Sequence, residues 1–266
     1  AAAAAAAAAA GDTFSTVVHD FLQDGVCRPN IHITPEQIEQ CKTAVAAHYA
    51  RLKHTVETLQ KQDVLETEGF REFKMRQRGR FDFQVPSFDE PDFSFLREDA
   101  PWLPVVKAIL GDKCRPVVKG VMLSMPGSDH QNWHSDGDHL DDATHLPPHA
   151  LNVFIPLVDV TPKHGPTEFV PTSHLLFNYE APGQKTITIP TPAGEVLMFD
   201  YRIRHRGLGN RTTEPRPVIY VTYGTGSWVD RDNFARTRYA PMPKLLDPPP
   251  SRSQRGPRSD VAPDSS

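Results

Sequence analysis

The chain has 266 residues, 38% of them hydrophobic and 23% charged, with a formal net charge of -4 at pH 7. This suits one domain with a buried core and argues against a nucleic-acid-coating protein or a polybasic membrane binder. No apolar run reaches the roughly 18 residues that a spanning helix needs, and no secretory signal is readable, so a cytoplasmic protein with no membrane partner is expected. The three cysteines, Cys27, Cys41 and Cys114, show no C-x-x-C spacing. A disulfide framework or a thiolate zinc site is therefore not expected, and a reducing compartment is.

Residues 1–10 are all alanine and carry no fold information. The body is expected over 12–240, and 241–266, dense in Pro, Ser and Arg, reads as a disordered tail. Thr34, Pro35 and Gln37 form a capping-box signature. Ile38, Cys41, Val45, Tyr49, Leu52, Val56 and Leu59 follow on one helical face. A second helix is predicted from Pro101, burying Leu103, Val106 and Leu110 and stopping at Gly111. Short β-rich runs then succeed one another: Val117–Met125, Leu151–Val158, Glu168–Val170, Thr186–Ile189, Val196–Phe199 and Val218–Tyr223. Helices first and strands after point to a mainly β fold, a sandwich or jelly roll with the helices packed on one sheet. Arg76, Arg78 and Arg80, beside Phe81 and Phe83, are expected on a loop as a solvated basic face, with contact to an anionic substrate as the alternative.

His134 and Asp136 form an H-x-D pair, and residues two apart on an extended backbone point the same way. Alone, three residues of this kind also describe a solvated acidic loop. His205 lies 69 residues after Asp136 and Arg216 a further 11 residues on, at the start of the last strong strand. Two His and one carboxylate make the facial set that leaves positions open on a non-haem Fe(II). An arginine entering a β core needs an anionic partner, which a dicarboxylate or a local acid such as Glu214 would provide.

In order, these pieces resemble the phytanoyl-CoA dioxygenase family: H-x-D, the block Gly165 to His174, the stretch Asp200 to Asn210, and Arg216-Pro217. The resemblance is good over roughly 115–224. It implies a double-stranded β-helix of jelly-roll or cupin type and an Fe(II)/2-oxoglutarate-dependent dioxygenase. It further implies that His134, Asp136 and His205 ligate iron and that Arg216 pairs with the distal carboxylate of 2-oxoglutarate. Thr167 and Asn152 are expected to line the cosubstrate pocket. O2 is the second cosubstrate, and a small organic or acyl molecule is the partner, leaving with succinate and CO2 as products. Gly207 stands where relatives often carry a serine that helps bind 2-oxoglutarate. The intact Asp136 favours hydroxylation, or a related desaturation or ring closure, over halogenation. The loop Gly137 to His149 is expected to cover the substrate. A cupin-type metal site without 2-oxoglutarate, and a catalytically silent relative, remain as alternatives.

Overall fold

The computed structural model describes residues 14–177, 184–230 and 239–248. The alanine run lies outside the described residues. Residues 14–24 are helical (α1) and bury Val17 and Phe21. A two-residue strand, β1 (Val26–Cys27), follows. Thr34 then caps α2 (Pro35–Thr58): its hydroxyl accepts from the Gln37 amide and its own amide donates to the Gln37 side chain. One face of α2 buries Ile38, Cys41, Val45, Leu52 and Val56, with His48 and Thr55 among them. Leu59, expected on that face, is instead the exposed C-cap, because the helix ends a residue earlier.

A short helix, α3 (Gln62–Thr67), leads into the hairpin β2 (Phe73–Gln77) and β3 (Arg80–Phe83). The segment expected to be a basic loop is thus two paired strands. Tyr49 of α2 packs its ring on Phe73, Phe81 and Phe83, with centroids 5.5–6.1 Å apart, so the helix covers one face of this sheet. Helix α4 (Leu103–Leu110) starts two residues after Pro101 and ends at Gly111, where φ is 85°. Trp102 before it is fully buried and donates to the Tyr223 hydroxyl.

The remaining strands are β4 (Arg115–Ser124), β5 (Ala150–Pro156), β6 (Thr167–Phe169), β7 (Ile187–Thr188), β8 (Leu197–Asp200), β9 (His205–Gly207) and β10 (Arg216–Gly224). Among the described residues they form two antiparallel sheets, ordered β1-β8-β5-β10-β4-β3-β2 and β7-β6-β9. Register aligns Arg80 and Arg216 on either side of Ser124, and Asn152 beside Thr222. Alternation places Arg216, Val218, Tyr220 and Thr222 on one face of β10.

Residues 241–248, placed by the sequence in the tail, lie against the body. The Met242 amide donates to the Glu72 carboxylate and the Leu246 amide to the Thr55 hydroxyl, and Met242 and Leu245 pack on the main core. The rest of the expected tail lies outside the described residues. No described helix is long and apolar enough to cross a membrane.

Candidate metal centre

His134, Asp136 and His205 arrive from two stretches of chain that hydrogen-bond to each other. The His134 amide donates to the His205 carbonyl, and the His205 amide to the His134 carbonyl. The Asp136 amide is held by the Tyr201 carbonyl. This bridge brings the three side chains to one point, with their ligand atoms within 4.8 Å of one another. His134 Nε2 is 3.9 Å from one Asp136 oxygen and His205 Nε2 is 3.8 Å from the other.

The other ring nitrogens are held by backbone. His134 Nδ1 lies 2.8 Å from the Asn132 carbonyl and His205 Nδ1 3.0 Å from the Ile203 carbonyl. A carbonyl only accepts, so each Nδ1 carries the proton and each Nε2 presents a lone pair. Burial pushes the His205 imidazole down to about 4, against the pull of Asp136, so it stays neutral. Two imidazoles and a carboxylate fit a divalent transition metal.

The Asn152 side-chain amide donates to Asp136 Oδ2 at 2.5 Å, and its own oxygen accepts from the Thr222 hydroxyl at 2.6 Å. Asn152, expected in the cosubstrate pocket, therefore bonds the carboxylate directly and fixes its orientation. It also lines the cavity of about 280 Å³ beside the triad.

Arg216 is 3% exposed, and its guanidinium donates to the Gly165 carbonyl and to Ser124 Oγ. It makes no ion pair with Glu214. Thr167 lies with it on the wall of a small adjoining cavity, and Phe154 lines both that space and the metal cavity. Thr167 and Arg216 are thus brought together, away from the triad.

Arg80, read from the sequence as part of a loop with a solvated face, lies instead in a strand inside the fold. It is fully buried and donates to Ser124 Oγ at 2.7 Å and to the Leu208 carbonyl at 2.7 Å. Burial lowers the Arg80 guanidinium to about 10; burial and the neighbouring Arg80 lower Arg216 to about 9. Among the described residues these two buried cations meet neutral acceptors alone, an arrangement that suits a carboxylate. A Cβ on Gly207 would meet Arg80 Nη1 at 2.7 Å, so the glycine leaves room for this guanidinium where relatives often place serine.

Of the other two arginines expected on the basic face, Arg76 also differs from expectation and Arg78 does not. Arg76 lines the metal cavity and is tied to the buried Asp82, with Nε 2.8 Å from Oδ2, and Tyr220 donates to the other oxygen of Asp82. Arg78 alone is solvated, paired with Asp129. The signal was present as alternation: Arg76, Arg80 and Asp82 occupy inward positions of a hairpin that turns at Gly79.

The phytanoyl-CoA dioxygenase family profile matches residues 21–218, and the chain belongs to that family. Solved structures share its fold. EvdMO1 aligns with a TM-score of 0.61 at 19% identity, over 81% of this chain, which spans 50% of that one. The epimerase SnoN, in complex with Fe3+, alpha ketoglutarate and nogalamycin RO, aligns at 0.59 and 18% identity over 91% of this chain and 98% of SnoN. HygX from Streptomyces hygroscopicus, with nickel, 2-oxoglutarate and hygromycin B bound, aligns at 0.60 and 13% identity over 85% and 95%. The two-sheet architecture is accordingly the cupin-like double-stranded β-helix that the sequence implied.

Proposed function

We propose that the chain is a non-haem Fe(II)- and 2-oxoglutarate-dependent dioxygenase that hydroxylates, or otherwise oxidises, a small organic molecule and releases succinate and CO2. The observation that carries this reading is the pairing of two sites. A His134–Asp136–His205 set with both Nδ1 atoms tied to carbonyls stands beside a cavity, and a buried Arg80–Arg216 pair lacks a carboxylate. The metal and 2-oxoglutarate bound in SnoN and HygX, relatives of the same fold, support it.

In this reading His134, Asp136 and His205 hold Fe(II), and Asn152 keeps the Asp136 carboxylate turned toward it. Arg216, joined by Arg80, grips the distal carboxylate of 2-oxoglutarate, with Thr167 beside it. When bound, iron with 2-oxoglutarate and O2 supplies an oxidant able to break a C–H bond. The chain's task is to position and to shield. His205 stays neutral, the cosubstrate is fixed at its far end, and the walled cavity limits water.

The test is an anaerobic titration of Fe(II) and 2-oxoglutarate, following the weak visible charge-transfer band of the chelate. The wild type is expected to show the band and Arg216→Ala to need at least tenfold more 2-oxoglutarate. Iron binding without any band in the wild type would overturn the reading in favour of a metal site of another kind.

A further inference from the structure

A second space adjoins the metal cavity. It is a cleft of about 430 Å³ between the 137–149 loop and the segment that follows β10, within the usual size of small-molecule sites. Asp136 and Tyr201 line both spaces, so the cleft meets the metal cavity at a metal-ligating carboxylate. Leu140 and Val229, one from each side of the cleft, are the most exposed large apolar side chains among the described residues, at 57% and 58%. Singly exposed apolar residues need no explanation. Two that line one cleft together with Trp228 concentrate apolar surface at its rim, the mark of a ligand groove.

The aromatic wall behind that rim is held in place. Trp228 meets Tyr201 edge-on at 5.1 Å and His149 at 5.5 Å. The Thr225 amide donates to the His149 carbonyl, and the Trp228 amide to the Thr225 carbonyl, so the two sides of the cleft are tied together. Side chains are excluded where the rings lie: a Cβ on Gly137 would meet Tyr201 at 2.6 Å, and one on Gly224 would meet Trp228 at 2.5 Å. Charge narrows the choice of ligand. Among the described residues no Lys or Arg lines the cleft, and the only one lining the metal cavity, Arg76, is bound by Asp82. Burial lowers His149 to about 4, so it adds no positive charge at neutral pH, and the charged side chains that line the cleft are the carboxylates of Asp136, Asp138 and Asp230. A polyanion such as the nucleotide head of a coenzyme A thioester finds no counter-charge here. The metal cavity by contrast carries the amides of Gln77, Gln131 and Asn132, which suit a hydroxylated group.

From this we infer that the substrate is a small molecule with an apolar, ring-bearing body and a polar reacting end. Its body lies in the cleft against Trp228, Leu140 and Val229, and its polar end passes Tyr201 into the metal cavity. The inference rests on the oxygenase reading above. Flat rings gain from offset or edge contacts with Trp and Tyr beyond the area they bury.

The test uses the full chain, loaded anaerobically with Fe(II) and 2-oxoglutarate, and the neutral two-ring probe N-phenyl-1-naphthylamine. Probe fluorescence and the charge-transfer band are read side by side, in the wild type and in the surface double variant Leu140→Ser/Val229→Ser. The wild type is expected to saturate with one probe per chain, and the double variant to bind it at least tenfold more weakly with its band unchanged. Trp228→Leu, which keeps bulk but loses the flat ring, is expected to weaken the probe as well. Equal binding by wild type and double variant, or no saturable binding in the wild type, overturns the inference. So does a wild-type dimer that the double variant converts to monomer, because the rim would then be covered by a second copy. Probe binding without a band would instead count against the oxygenase reading and leave the cleft's preference standing.

Discussion

Arg80 Nη1 and Arg216 Nη2 donate to one oxygen, Ser124 Oγ, at 2.7 and 2.8 Å, from strands on either side of it. Neither guanidinium meets a carboxylate among the described residues, and each lowers the comfort of the other in a dry site. In the proposed reading a cosubstrate carboxylate would relieve both at once. Replacing Arg80 by Met should therefore separate stability from binding. Without 2-oxoglutarate the Arg80→Met variant is expected to melt at or above the wild-type Tm, since a buried cation without a counter-ion is costly. With Mn(II) present, the rise in Tm caused by 2-oxoglutarate should shrink. The Kd for 2-oxoglutarate should increase at least tenfold, as loss of one charge-assisted bond of about 1.5–3 kcal/mol requires. An unchanged ligand-induced Tm shift would remove Arg80 from the cosubstrate site.

Gly207 and Arg80 are a matched pair. A side chain at 207 would crowd Gln131 Oε1 at 2.6 Å and Arg80 Nη1 at 2.7 Å. A serine at this place should thus harm this chain. Gly207→Ser is expected to cost about 1–3 kcal/mol in denaturant unfolding, the usual range for overpacking. The double variant Gly207→Ser/Arg80→Ala should recover part of that loss, because one of the two crowding side chains is gone while Gln131 remains. Additive losses in the double variant would show that the glycine serves the backbone and not the arginine.

How much of this was legible beforehand depended on the kind of signal. Helix α2 announced itself because its cap and its apolar spacing are local, and β4, β5, β8 and β10 because their apolar runs are long and punctuated. The triad residues were readable as an ordered set, although what joins them, the His134–His205 backbone bridge, is invisible in sequence. The β2–β3 hairpin hid for a physical reason. Its inward positions hold Arg76, Arg80 and Asp82, which look like a surface until Tyr220 and Ser124 from β10 and β4 are seen to satisfy them. Residues 241–248 hid likewise: three prolines ahead suggested a tail, but Met242 and Leu245 find apolar neighbours far away in sequence.

Asn152 bonds the Asp136 carboxylate, and Thr222 fixes which way its amide points. Its removal should be felt by the metal before the cosubstrate. Asn152→Leu is expected to weaken metal binding by roughly 10- to 100-fold in a chelator competition, the usual effect of losing such a partner. At saturating metal, the Kd for 2-oxoglutarate should stay within about twofold of the wild type, against the tenfold expected from losing a charge-assisted bond. Thr222→Val should give a smaller loss of the same kind. The opposite pattern, normal metal affinity with weak 2-oxoglutarate binding, would return Asn152 to the cosubstrate pocket proper.

His149 links the cleft to acid stability. It is 4% exposed, and burial, with Arg202 adding to it, lowers its imidazole from 6.5 to about 4. Asp200 pulls the other way and His139 adds slightly to the lowering. The unfolded chain therefore takes up a proton near pH 6.5 while the folded chain resists until near pH 4. Stability from this group is complete above pH 6.5 and declines as the pH falls toward 4. Across that window the loss amounts to about 3 kcal/mol. His174 and His48 are lowered by burial too and add to the slope, so the quantity to read is the difference between two chains. His149→Phe keeps a ring against Trp228 and has nothing to protonate. Urea unfolding at pH 7, 5.5 and 4.5 should show the wild type losing stability faster than the variant, with the gap widening at each step. Parallel curves would mean that the His149 ring meets water in the folded protein, and the cleft wall would then be wetter than its packing against Trp228 and Tyr201 implies.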